Sequence, residues 1–121
     1  MADMLEHDTT QSVTLRVSNE MVRLYKTQFG RGPTKARAAF AGRDTLVSTL
    51  EDSFTPAERN LVAMGEHQRL RDARTFFQYA SETQFRDAVE GITGRKVRGF
   101  VSGLDAEHDI STEVFYLHPE E

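Results

Sequence analysis

The chain contains no cysteine. That single absence removes disulfides, thiolate nucleophiles and cysteine-ligated zinc together, and it fits a reducing, cytoplasmic location. No apolar run approaches the roughly 20 residues that a membrane-spanning helix requires. The first residues, Met1 to Gln11, are acidic and polar with no apolar centre, which excludes a signal or transit peptide there. An excess of positive charge is also missing. The formal net charge is −4, so the broad basic face needed for non-specific nucleic-acid binding is not expected. No serine stands in a nucleophile-elbow context, no Gly-x-x-x-x-Gly-Lys-Ser/Thr loop occurs, and the histidines (His7, His67, His108, His118) are scattered. The reading is therefore of a non-enzyme without cofactor.

What remains is ordinary globular material. At 38% hydrophobic and 28% charged residues over 121 positions, the chain can bury one core but not two. Residues 1–11 read as a loose arm and residues 12–118 as one domain. Val13, Val17, Met21, Leu24 and Gln28, flanked by Tyr25, recur at helical steps and end at Phe29. Ala36 to Ala41 and the β-branched Thr45 to Leu50 read as a hairpin. Thr55-Pro56-Ala57-Glu58 is a capping box with proline at the first helical position, so a short helix should follow to Ala63 and stop at Gly65. The spacing of Leu70, Ala73, Phe77, Ala80, Gln84, Ala88 and Ile92 predicts one long helix from Glu66 to Thr93. Lys96 to Leu104 and Ile110 to Leu117 then form a second hairpin, its last strand apolar on both faces and so central or covered. The fold class expected is α+β in the order α-β-β-α-α-β-β: a four-stranded, mostly antiparallel sheet with helices packed on one face. Phe76, Phe77, Tyr79 and Phe85 exceed what one sheet contact needs, which suggests a homodimer.

Three groups of residues invite chemistry. The stretch Phe29 to Ala38 holds two glycines, one proline and three cations. A shaped turn built on Gly30, Arg31, Gly32, Thr34 and Lys35 could cradle an anion with backbone N–H groups and side-chain charge, or could simply end a helix. Arg71 and Arg74, three apart on a helix and near Arg59 and Arg69, could grip a phosphate or an acidic partner, or could be a solvated face. Asp105, Glu107, His108 and Asp109, with His118, supply oxygen and imidazole ligands, but in no metal-binding spacing, and a hairpin loop is the expected outcome.

Several separated motifs also carry a family resemblance. They are Tyr25 to Phe29 leading into Gly30-Arg31-Gly32-Pro33-Thr34-Lys35-Ala36, then Leu50-Glu51-Asp52 before Thr55-Pro56-Ala57-Glu58-Arg59. Arg71 and Arg74, Thr93-Gly94-Arg95-Lys96-Val97, Asp109-Ile110 and Glu113-Val114-Phe115 complete the set. In this order, over Ser12 to Leu117, they resemble the MpsC-like domains. The resemblance implies an accessory or regulatory protein beside a membrane complex that handles cations or inorganic carbon. It would act through protein contacts, with Arg31, Lys35, Arg71 and Arg74 meeting an acidic partner. The alternative is a sensor that binds a phosphorylated or carboxylate anion at the Gly30–Lys35 turn.

Overall fold

The computed structural model describes residues 2–120, with side chains from Thr10 onward. Helix α1 spans Ala2–Phe29; β1 (Lys35–Phe40) and β2 (Thr45–Glu51) follow as a hairpin. Three helices come next, α2 (Pro56–Ala63), α3 (His67–Ala80) and α4 (Glu82–Thr93), and then β3 (Val97–Asp105) and β4 (Ile110–Leu117). The class is α+β, and the strands form one antiparallel sheet in the order β1-β2-β4-β3. The two hairpins thus meet through their second strands, which puts β4 in the interior as its two apolar faces require.

Local chemistry explains most boundaries. Thr55 Oγ1 accepts the Glu58 N–H at 3.2 Å while a Glu58 carboxylate oxygen accepts the Thr55 N–H at 2.8 Å, the reciprocal bonds of a capping box. At the other end of α1, Gly30 sits at φ +80° and returns its N–H to the Lys26 carbonyl at 2.9 Å. Only glycine takes that left-handed angle without penalty, so the helix ends where the sequence places its first glycine. Residues 2–11, expected as a loose arm, carry helical backbone instead. They hold neither glycine nor proline, and extending an established helix costs little once its first turn exists.

The sheet buries one face. Leu46, Ser48 and Leu50 of β2, Glu113, Phe115 and Leu117 of β4, and Phe100 and Ser102 of β3 point toward the helices. Val17, Met21, Leu24 and Tyr25 of α1 and Phe85 and Val89 of α4 close the core over them. A second cluster, Phe54 with Leu70 and Ala106, sits beneath α2 and α3.

Two expectations are corrected. The long helix is divided at Ser81, whose φ of −104° and ψ of +16° leave the helical range. Gln28 of α1 stabilises the break, because its side-chain amide donates to the Phe77 carbonyl and, at 2.9 Å, to Ser81 Oγ. The buried stripe of α3 is also not the apolar one. Leu70, Arg74 and Gln78 face inward, while Ala73, Phe77 and Ala80 face outward. The residues of β3 do not alternate simply between the two faces. A register shift between Val97 and Gly99 turns Val97 and Phe100 to the same side and leaves Val101 exposed.

Candidate functional site

The glycine turn docks on the segment that follows β2, and Asp52 is the anchor. Arg31 donates to the Asp52 backbone carbonyl and lies 3.2 Å from the Asp52 carboxylate. Thr34 Oγ1 donates to Asp52 at 2.9 Å and Arg59 at 2.8 Å. The Thr34 hydrogen bond, with help from Arg31 and Arg59, holds the Asp52 carboxyl below the ordinary range. Gly32 packs against Val22 and the Lys26 stem, with room for a Cβ at ordinary contact. Lys35 opens β1 and is exposed.

Arg74 reaches the same segment from the opposite side. It is almost wholly buried, and its guanidinium grips Glu58 with two nitrogens, Nε at 2.5 Å and Nη2 at 2.7 Å. The same side chain donates to the Ser53 carbonyl at 2.9 Å and to Ser53 Oγ at 3.3 Å. Its planar face lies 3.7 Å from the Phe29 ring centre, with Phe54 and Tyr25 further out. Burial raises the Glu58 pKa, but hydrogen bonds from Arg74 and the Thr55 backbone outweigh it, so Glu58 stays ionised below the usual carboxylate range. The capping glutamate therefore has a second task, which the sequence reading had not given it.

Asp109 completes the arrangement. Its φ of +54° turns the carboxylate onto the N–H groups of Ser53 (3.0 Å) and Phe54 (3.1 Å), while its carbonyl accepts from Asp52. Residues 52–54 are thus held by Arg31, Arg74 and Asp109 together. Around them three cations (Arg31, Arg59, Arg74) face three carboxylates (Asp52, Glu58, Asp109). That set is internally balanced, while Lys35 of the turn stands outside it without an ion pair among the described residues.

The structure does not place Arg71 with Arg74. Arg71 bonds Gln68 at 2.8 Å and lines a shallow cleft of about 500 Å³ with Phe76 and Tyr79. The acidic loop does not converge either. Asp105 accepts from His108 through the backbone and the ring at 3.0 Å each, which raises the His108 pKa, and Glu107 pairs with His67. His118 lies apart at the end of β4, its N–H on the Lys96 carbonyl. Among the described residues no three acidic or histidine side chains could hold a metal.

The group most out of place went unnoticed in the sequence. Glu113 is fully buried at the centre of the sheet, between Ser48 of β2 and Ser102 of β3 in register. Tyr25 donates to it at 2.6 Å and Gln78 at 2.8 Å. Its Oε2, together with Ser48 Oγ and Gln78 Oε1, finds no partner among the described residues. Burial is the main cause of a pKa pushed up to about 7, only partly offset by Tyr25, Ser102 and Gln78. The signal was present in outline: one glutamate stands in the buried alternation of β4, opposite serines.

Fold and side-chain arrangement together define a small α+β domain. The family described as Na+-translocating membrane potential-generating system (MpsC) matches residues 9–119, and the chain belongs to that family. No curated protein and no solved structure matches it. No helix among the described residues is long and apolar enough to cross a membrane.

Proposed function

We propose that the protein is a non-catalytic, cytoplasmic accessory or regulatory component of a Na+-translocating system, working through protein contacts as a homodimer. The family description supplies the link to Na+ translocation. The observation that carries the contact role is the outer face of α3. Phe76 is 69% exposed and Phe77 51% exposed, edge to face at 5.6 Å, with Tyr79 one turn from Phe76 and Thr75. Rings presented on a helix whose inner side is pinned by Arg74 and Gln78 form a rigid apolar surface of the kind that association buries. A second copy of the chain is the occupant proposed for it.

Sedimentation at micromolar concentration tests this. The parent should sediment as a dimer, and Phe76→Ser with Phe77→Ser should sediment as a monomer with unchanged far-UV dichroism. A monomeric parent removes the homodimer. The anion-sensor alternative at Gly30, Arg31, Gly32, Thr34 and Lys35 gains little support from a turn whose Arg31 is already paired with Asp52. A thermal-shift series with phosphate, nucleotides and bicarbonate would bring it back if any of them stabilised the fold, since a ligand at 100 times its Kd adds about 2.7 kcal/mol.

A further inference from the structure

The two edges of the sheet are treated differently. In β3 the outward backbone groups meet side chains. Val97 N–H donates to Glu90 at 2.8 Å, the Val97 carbonyl accepts from Arg86 at 2.7 Å, and Ser102 N–H donates to the Tyr79 hydroxyl at 2.9 Å. That edge is closed to another strand at two places.

The β1 edge has no such cover. Ala41 bonds Thr45 across the hairpin, and in an antiparallel ladder the residues that bond the neighbour alternate with those that face away. Lys35, Arg37 and Ala39 therefore bond β2, and Ala36, Ala38 and Phe40 turn their N–H and C=O groups outward. Among the described residues no side chain or backbone group meets them. Charge is distributed to match. Lys35 and Arg37 stand exposed on the sheet face away from the helices, and Arg43 stands exposed in the hairpin turn. None of the three forms an ion pair among the described residues, although the protein as a whole is acidic at −4. The open sheet face beside them is mildly apolar, since Ala39, Val47, Val114 and Val101 fall in one cross-strand row.

We infer that the β1 edge accepts an extended acidic segment of a partner protein as a fifth strand. Backbone bonds to Ala36, Ala38 and Phe40 would supply the pairing. Acidic side chains at alternate positions of the incoming strand would lie beside Lys35 and Arg37 on the open face, and apolar ones between them would turn to the helix side, beside Ala36, Ala38 and Phe40. A second copy of β1 fits this edge poorly, because an antiparallel pair would gather both copies of Lys35 and Arg37 on one face.

This inference rests on the reading of the protein as a contact module, and its test is separate from the sedimentation test of the α3 face. The probe is a synthetic peptide of alternating valine and glutamate with a fluorescent end label, compared with the same peptide carrying lysine for glutamate. Binding is read by anisotropy at low and at physiological salt, and by amide hydrogen exchange. The glutamate peptide should bind and slow exchange at Ala36, Ala38 and Phe40, while the lysine peptide should not. Lys35→Glu with Arg37→Glu should weaken binding at least tenfold. Ala38→Pro removes an outward N–H without breaking a bond to β2, so it should abolish binding while the thermal melt shows a folded protein. Peptide binding that leaves those three amides unprotected, or that survives Ala38→Pro in a folded variant, overturns the inference. Amides already protected in the peptide-free protein, with a dimer that Phe76→Ser and Phe77→Ser do not dissociate, overturn it in favour of β1 pairing between copies. A failed peptide test beside an intact α3 dimer sinks the edge proposal alone.

Discussion

Glu113 sets a stability-versus-pH profile opposite to that of an ordinary surface carboxylate. Its pKa of about 7 in the fold compares with an ordinary value of 4.5. A difference of roughly 2.5 units corresponds to about 3 kcal/mol at 1.36 kcal/mol per unit. The folded protein holds the proton more tightly than the unfolded chain. The stabilisation is therefore complete below about pH 4.5 and is lost as pH rises through 7. By pH 8 the folded state must either ionise a carboxyl enclosed by Tyr25, Gln78, Ser48 and Ser102, or hold the proton against the solvent.

Glu113→Gln isolates the effect, because the amide keeps the shape, its oxygen can still accept from Tyr25 and Gln78, and it cannot ionise. Parent and variant should be of nearly equal stability at pH 5. At pH 8 the variant should be more stable by about 3 kcal/mol, a rise in Tm on the order of 10 °C for a domain of this size. Urea melts at pH 5, 6, 7 and 8 give the comparison, with equal m-values as the check that the unfolded states match. Other groups add their own pH dependence. His108, raised by Asp105, also loses its contribution as pH rises. Asp52, Glu58 and Asp105, all lowered, lose theirs only at acid pH. All of these cancel in the difference between the two proteins. A variant whose profile runs parallel to the parent's, or that is less stable at pH 8, refutes the reasoning.

Further expectations follow from the docking of residues 52–54. Arg74→Ala leaves the Glu58 carboxylate without its fork and should cost about 3–5 kcal/mol in urea melts. Arg74→Met with Glu58→Gln should recover part of this, because the apolar cage of Phe29 and Phe54 stays filled and the amide oxygen still caps Thr55. Asp109→Ala strands the N–H groups of Ser53 and Phe54, for a loss of about 2 kcal/mol and faster hydrogen exchange at those two amides. Gly30→Ala should cost about 1–2 kcal/mol through its left-handed angle alone, since a Cβ there meets nothing. Gly32→Ala should be nearly neutral, and equal losses at the two positions would contradict the assignment of Gly30 as the helix stop. Tyr79→Phe uncovers the Ser102 N–H at the β3 edge and should raise light scattering in concentrated samples.

The parts of this fold legible in the sequence are those fixed by short-range chemistry. The capping box at Thr55, the glycine stops at Gly30 and at Gly94, which caps α4 at φ +71°, and the order of strands in each hairpin all follow from neighbours a few residues apart. The inner face of α3 was misread because hydrophobic periodicity assumes that buried means apolar. Here Arg74 and Gln78 occupy the buried positions, and each is tolerable only because a partner 16 to 53 residues away satisfies it: Glu58 for Arg74, Tyr25 and Glu113 for Gln78. No local pattern reports such a partner. The same kind of long-range pairing is found at the glycine turn. Read alone, Arg31 beside two glycines suggested a bound anion, yet the anion is the chain's own Asp52, brought in by the strand that pairs with β1. Once Asp52 takes Arg31 and Glu58 takes Arg74, Lys35 and Arg37 of β1 stand without an ion pair among the described residues. A search for partners is therefore better directed at the free edge of β1 than at the turn that leads into it.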